Sequence, residues 1–318
     1  MANAITCIRD EKIGGLPTVL NPSELTKYLR PIVPLKWGAL RDLELQVLKH
    51  HLGKRCTVNI TLHTSTGKHE LIGKVYAKDR SNVFRGMKQM SQSGFGPEAE
   101  FSIPQPLAFV PELGLLILQR VQGPLAREVC LTGNEDQRAR AAERCACWLA
   151  YFQTRAPLFG PVRLLADEDI EKWVARLTRP HSELTGKAQL LLRQLDVTVR
   201  AVDDQQLCPC HFAYSDHQII VTETRTVTFD LDQYCRAAPA WDVARFIISL
   251  QKLALRKFGS LRAFDPVVEV FYKTYTAKSR FNVTKDLPVY RAALCLRHSR
   301  DNLDPLLDEG FRILADEM

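Results

Sequence analysis

The chain has no apolar run long enough to cross a bilayer. Its best candidates, FIISL and LLIL, are core-sized, far short of the roughly 20 residues a span needs. The first residues, MANAITCIRDEK, lack the apolar centre of a secretory leader. The nine cysteines are odd in number and scattered, without the spacing of a disulfide framework. A reducing, cytoplasmic setting is therefore the expectation, with no membrane partner. Basic runs and arginines interleaved with aromatics are also missing. The net charge of +7 is spread over 318 residues, so nucleic acid is not an expected partner. Repeats, low-complexity tracts, long linkers and a Gly-x-Ser-x-Gly hydrolase elbow are absent too. What is present is ordinary: 46% hydrophobic and 25% charged residues, enough for one large domain or two lobes.

The first third reads as strands. A helix at Pro22–Leu29, with Asn21 as N-cap and proline at its first position, precedes them. Asp42–Lys49, Cys56–His63 and His69–Ala77 follow. The first two alternate apolar and polar residues, and the links LGKR and TSTGK each supply a turn glycine. A helix at Ser81–Ser93 and strands at Pro104–Val110 and Leu115–Val121 complete a five-stranded antiparallel sheet with one inserted helix. After Gln122-Gly123-Pro124 the pattern turns helical: Glu135–Gln153, Asp169–Leu177, Glu183–Val202, Ala240–Lys257, Phe264–Lys278, Leu287–Arg297 and Leu306–Asp316. The one strand-rich interruption is Cys208–Asp230, turning at TETR. The expected class is α+β: a small antiparallel lobe over 1–121, and a larger helical lobe over 122–318 with a loop region at 208–232.

The chemistry-bearing residues concentrate in that interruption. His211–Val221, HFAYSDHQIIV, is followed by the acidic pair Asp230 and Asp232 after the strand TVTF. Phosphoryl transfer needs positioned phosphates, a metal and a group orienting the attacking hydroxyl. A loop His-x-Asp-x-x-x-x-Asn supplies the last two. Here the eight positions run from His211 to Gln218. Gln218 stands where Asn is usual, and its amide oxygen can still ligate a metal. Ala213 stands where the base would be and cannot accept a proton. Asp216, three residues on, is a candidate substitute base, as is Asp232. Asp230 is the candidate Mg2+ carboxylate; a solvated turn pair is the plainer reading. Asp242 lies early in an apolar helix, placed to receive loop hydrogen bonds or to complement the helix N-terminus. Lys74, mid-strand in GKVY, reads either as a point charge for phosphates or as a solvent-facing lysine. Cys208-Pro209-Cys210-His211 lacks a second ligand pair, so a buried strand is expected there, not zinc. His50, His51 and His217 read as surface or loop residues; Trp148, Tyr151 and Phe152 read as core.

Taken in order, these motifs resemble the aminoglycoside phosphotransferase/choline kinase-like family. LIGKVY is similar to its lysine strand, and IPQPLAFVPELGLLILQRVQGPL to its passage into the hinge. HFAYSDHQIIV with TFDLDQYCRAAPAWDVARF is similar to its catalytic loop, metal aspartate and following helix. The resemblance spans roughly residues 40–250 and implies a two-lobed protein-kinase-like fold, with ATP or another nucleoside triphosphate and Mg2+ as cofactors. It implies that Lys74 binds phosphates and that Gln119, Arg120 and Val121 meet adenine through backbone groups. Gln218 and Asp230 would hold Mg2+, and His211 and Asp242 would support the loop. The partner would be a small hydroxyl-bearing acceptor or a protein. Three departures stand out: Ala213, the absence of any acid in Ser81–Ser93 to pair with Lys74, and a single glycine in HLGKR. They favour a nucleotide-binding pseudokinase or weakly active kinase. The alternative is an active small-molecule O-phosphotransferase with Asp216 or Asp232 as base.

Overall fold

A computed structural model describes residues 8–165, 168, 170–199, 206–299 and 305–315. The leader reading of residues 1–7 and the expected helix positions at 169, 200–202 and 316 lie outside these. The chain divides between Gln122 and Gly123 into two compact units.

The first unit opens with α1 (Leu16–Val19) and α2 (Pro22–Leu29). Asn21 caps α2 as its sequence suggested, its side chain accepting from the Ser23 and Glu24 amides. Then come β1 (Leu40–His51), β2 (Arg55–Thr64), β3 (Gly67–Tyr76), α3 (Ser81–Gln92), the two-residue β4 (Phe101–Ser102), β5 (Pro106–Val110) and β6 (Leu115–Gln119). Five strands form one antiparallel sheet in the order β1-β2-β3-β6-β5. The alternating apolar residues set the register: Leu43 lies opposite Leu62, Leu45 opposite Ile60 and Val47 opposite Val58. This apolar face is covered by the segment before the sheet. Ile13, Leu16, Val19, Leu25 and Leu29 are buried against Val58, Ile60, Leu71 and Val75. That segment gave no signal of this role beyond one capped helix. Gly73 belongs to the same face, where a Cβ would come within 2.9 Å of Val58 Cγ2 and 3.0 Å of Ile60 Cδ1. Its neighbour Lys74 therefore points to the opposite face.

The second unit comprises α4 (Ala126–Thr132), α5 (Glu135–Arg155), α6 (Ile170–Thr178), α7 (Thr185–Val199), β7 (Cys208–Cys210), β8 (Ile219–Val221), β9 (Thr226–Thr228), β10 (Cys235–Ala237), α8 (Pro239–Phe258), α9 (Asp265–Lys278), α10 (Leu287–His298) and α11 (Pro305–Ala315). Trp148 and Phe152 of α5 are fully buried, as expected of core residues. Gln153 of α5 is buried as well. It donates to the Pro239 carbonyl and accepts from the Tyr275 hydroxyl, so one polar side chain links α5, α8 and α9. The expected helix from Glu183 begins instead as a tight turn, Ser182–Leu184, and becomes α7 at Thr185. β8 and β9 form a hairpin through the expected TETR turn, closed by Thr222 N–H to the Arg225 carbonyl. β10 pairs antiparallel with β7, Cys235 opposite Cys210, a pairing the sequence did not announce.

Candidate functional site

The segment after β7 is fastened from α8. Asp242, in the first turn of that helix, is fully buried. Its two oxygens accept the His211 amide at 2.7 Å and the Phe212 amide at 2.8 Å. Burial pushes the Asp242 carboxyl up to about 7, against the two amides and the Arg245 charge, which favour its ionised form. The amides converge because Phe212 takes the left-handed conformation, with φ of 65°. For a phenylalanine this is strained by about 1–2 kcal/mol and must be held by its surroundings. Trp241 stacks on its ring at 4.1 Å, the Trp241 indole N–H donates to its carbonyl, and the Arg163 guanidinium lies 3.9 Å over the ring.

His211 ties this loop to the end of the β8–β9 hairpin. Its Nε2 bonds the Phe229 carbonyl at 3.0 Å, and its Nδ1 lies 3.3 Å from the Ala213 amide. A carbonyl can only accept and an amide only donate, so the ring is the neutral tautomer with its proton on Nε2. Both nitrogens are thus spent, which removes His211 as a metal ligand. Cys208, Cys210 and Cys235 are buried. Burial pushes the Cys210 and Cys235 thiols up, leaving them inert. Among the described residues no group of three or more His, Cys, Asp or Glu is placed to hold a metal.

The same tie brings Asp230 to Gln218. Gln218 Nε2 lies 3.3 Å from Asp230 Oδ2, while its Oε1 accepts from the Ser215 hydroxyl at 2.9 Å. Asp230 also sits in the left-handed region, with φ of 68°, a conformation aspartate tolerates better than most residues. Two hard oxygen donors fit a Mg2+ ion whose remaining ligands are phosphates and water. For the Gln218 oxygen to face such an ion its amide would turn over, and the Ser215 hydroxyl can then accept instead of donate. Ser215 was not singled out by its sequence, although it lies inside the loop motif.

The two candidate bases differ. Asp216, in the turn Asp216–Gln218, is 2% exposed. Its Oδ2 is 3.4 Å from Arg127 of α4, its Oδ1 is 3.4 Å from the His217 ring, and its amide donates to Ser249. It is paired by charge with Arg127, although its Oδ2 is buried without a hydrogen-bond donor among the described residues. Asp232 is only partly buried, in the turn Leu231–Gln233. Ala213 itself is buried.

In the sheet unit Lys74 is 7% exposed, so it is not the solvent-facing lysine of the plainer reading. It lies opposite Thr57 of β2 and Leu116 of β6. No acidic residue occurs in α3, whose buried face is Val83, Gly86, Met87 and Met90. The Gln119–Val121 segment is already hydrogen-bonded within the unit. Gln119 N–H donates to the Gln105 carbonyl and Arg120 N–H to the Glu70 carbonyl. The Arg120 side chain bonds Asn59 at 2.8 Å and pairs with Glu70, which also accepts from Gln122. Two of the three amides in the segment expected to meet adenine are therefore engaged by the protein. The glycine turn is engaged too. Gly53 N–H donates to Asp10 Oδ2 at 2.7 Å, and the His50 ring meets the same oxygen at 2.8 Å. The Gly53 amide, with the His50 ring and the Lys12 amide, holds the Asp10 carboxyl below its usual range. Asp10 is some forty residues from this turn, and no local pattern points to it.

No family pattern and no curated protein matches the sequence. Solved structures do match. A spectinomycin phosphotransferase in complex with ADP and spectinomycin superposes with a TM-score of 0.61 at 12% identity, over 93% of this chain and 94% of that one. The chain has the fold of the antibiotic and choline kinases. An amicoumacin kinase in complex with AMP-PNP and Ca2+ gives 0.60 at 10% identity, over 86% and 89%. A choline kinase from Streptococcus pneumoniae gives 0.59 at 13%, over 92% and 98%. The expected small antiparallel sheet and larger helical part are thus the two-lobed arrangement of these kinases.

Proposed function

We propose that the chain binds a nucleoside triphosphate with Mg2+ and acts as a pseudokinase or weakly active phosphotransferase. The observation that carries the reading is the Gln218–Asp230 pair, presented by a loop that Asp242 and His211 hold in a strained shape. Residues held in such strained conformations cluster at functional sites, where the surroundings over-determine them. Asp230 and Gln218 would hold the ion, which when bound screens phosphate charge, and Lys74 would supply a point charge toward the phosphates. That the neighbours were solved with ADP or AMP-PNP supports nucleotide as ligand. Ala213 argues for weak chemistry, since losing a general base lowers rate by roughly 10²–10⁴-fold. The Arg127 pairing argues against Asp216 as a substitute. An active O-phosphotransferase would therefore rest on Asp232, with a small hydroxyl acceptor. Eight free thiols among the described residues support a reducing, cytoplasmic setting, and no helix there is long and apolar enough to cross a membrane.

The test is thermal unfolding with ATP and Mg2+. Saturation at 100 times Kd stabilises by about 2.7 kcal/mol, a readable rise in Tm. Asp230→Ala should abolish the Mg2+-dependent part of that rise. No shift in the wild type at millimolar ATP and Mg2+ would refute nucleotide binding.

A further inference from the structure

A second polar centre lies in the helical unit, on the side of α8 away from the loop. Ser249 of α8 accepts from the Asp216 amide. Ile247 and Gln251, two residues to either side and so about 200° around the helix, line a cavity of about 360 Å³. Arg262, Arg291 and Arg312 also line it, and all three converge on the buried carboxylate of Glu309.

Gln251 is the decisive residue. It is 2% exposed, and its Nε2 donates to Glu309 Oε1 at 3.1 Å. A carboxylate accepts only, which fixes the amide orientation. Its Oε1 is then a buried acceptor, and no donor reaches it among the described residues. Arg291 donates to the same Glu309 oxygen at 3.3 Å, so its guanidinium lies beside the Gln251 amide, and its Nε is also buried without a partner. The Gln251 acceptor and the Arg291 Nε–H, each buried without a partner, would each cost about 1–3 kcal/mol. The charges around them do not cancel locally. Three guanidiniums share Glu309, Asp265 stands 3.9 Å from Arg262 at the rim, and Glu269 is taken by Lys273 at 2.6 Å.

We propose that this cavity binds a small phosphate-type oxyanion that carries its own O–H donor. Its anionic oxygens meet Arg291 and Arg262, and its hydroxyl donates to Gln251 Oε1. The cavity exceeds the volume of the bare ion, and Tyr272, Val268 and Leu287 form a largely apolar wall, so a phosphate ester with a short hydroxylated organic part fits as well as the free ion. The site does not depend on the nucleotide reading.

Calorimetric titration of the full chain at pH 7 tests this, with inorganic phosphate, sulfate and glycerol phosphate as probes. Phosphate keeps a P–OH group and sulfate has none, so phosphate should bind at least tenfold more tightly, because a buried acceptor facing a bare oxyanion is left unpaired. Gln251→Met, which keeps the volume and removes the acceptor, should erase that preference. Arg262→Gln, at a half-exposed rim position, should weaken both ions. Each variant's Tm without anion establishes that it is folded. Tighter binding of glycerol phosphate would assign the site to esters, and tighter binding of inorganic phosphate to the free ion. Absence of phosphate binding at tens of millimolar, or equal phosphate and sulfate affinities in the wild type, overturns the proposal.

Discussion

The loop after β7 and the turn between β1 and β2 are the segments that the family resemblance links to metal and to phosphate, and their polar groups are used differently. In the loop Asp242 holds two amides, His211 spans to Phe229, and Gln218 meets Asp230. Ala213 stands where the family resemblance expects a base. In the turn the one glycine amide is consumed by Asp10, and α3 brings no acid for Lys74. The loop leaves Gln218 and Asp230 side by side, whereas the glycine amide of the turn is used within its own unit.

The largest expected effect breaks the loop side. Asp242→Ala removes a fully buried carboxylate, leaving two amides and Arg245 without it. Breaking such a buried set typically costs about 3–5 kcal/mol, measurable by urea unfolding; a loss below about 1 kcal/mol would mean the loop is not fastened as described. Next comes the sheet side. Leu25→Ala opens a hole between α2 and the sheet, and should cost about 2–5 kcal/mol with Mg2+-dependent binding retained if the two regions are separable. The third is pH. Asp242 is raised by burial, so the folded protein holds this proton more tightly than the unfolded chain. Its contribution to stability is full below the ordinary 3.8, falls as pH rises, and is exhausted above about 7. Asp242→Asn should flatten that part of the stability–pH curve. Glu309 has the opposite sign. Burial would raise it, but hydrogen bonding from Arg312 and the charges of Arg262, Arg312 and Arg291 outweigh this and hold it below 4.5. Its stabilisation is present above that value and disappears in acid, so Glu309→Gln should lose the low-pH slope. The smallest effect sharpens the comparison. Asp10→Ala frees the Gly53 amide, and should raise ATP·Mg2+ affinity by roughly two- to fivefold, one anion-directed hydrogen bond at a helix-free turn. An unchanged affinity would show that the turn takes no part in phosphate binding.

Much of this was legible in the sequence because it is local. The loop motif is eight residues long, the strands alternate, and Asn21 with Pro22 marks its helix to the residue. α4 carries no start signal, because its N-cap position is not a polar residue. Leu125 occupies that position, and the Glu128 side chain reaches back to its amide. β10 has no signal of its own, because three residues carry no periodicity and only β7 makes them a strand. The other features with no sequence signal are non-local. Residues 13–29 plate the sheet, Asp10 reaches Gly53, and Gln105 and Glu70 consume the Gln119 and Arg120 amides. Each joins segments whose approach is set by packing, and the backbone groups involved have no sequence identity to read.

The most direct measurement is ATP turnover of the wild type against Ala213→Asp, with Asp230→Ala as the metal-deficient control. A retained scaffold lacking only its base predicts a wild-type rate far below the roughly 1–100 s⁻¹ of working kinases, and a gain of about 10²-fold or more with aspartate at 213, abolished when Asp230 is also replaced. A wild type already turning over in the kinase range, or an aspartate at 213 that binds nucleotide normally and adds nothing, would contradict the account.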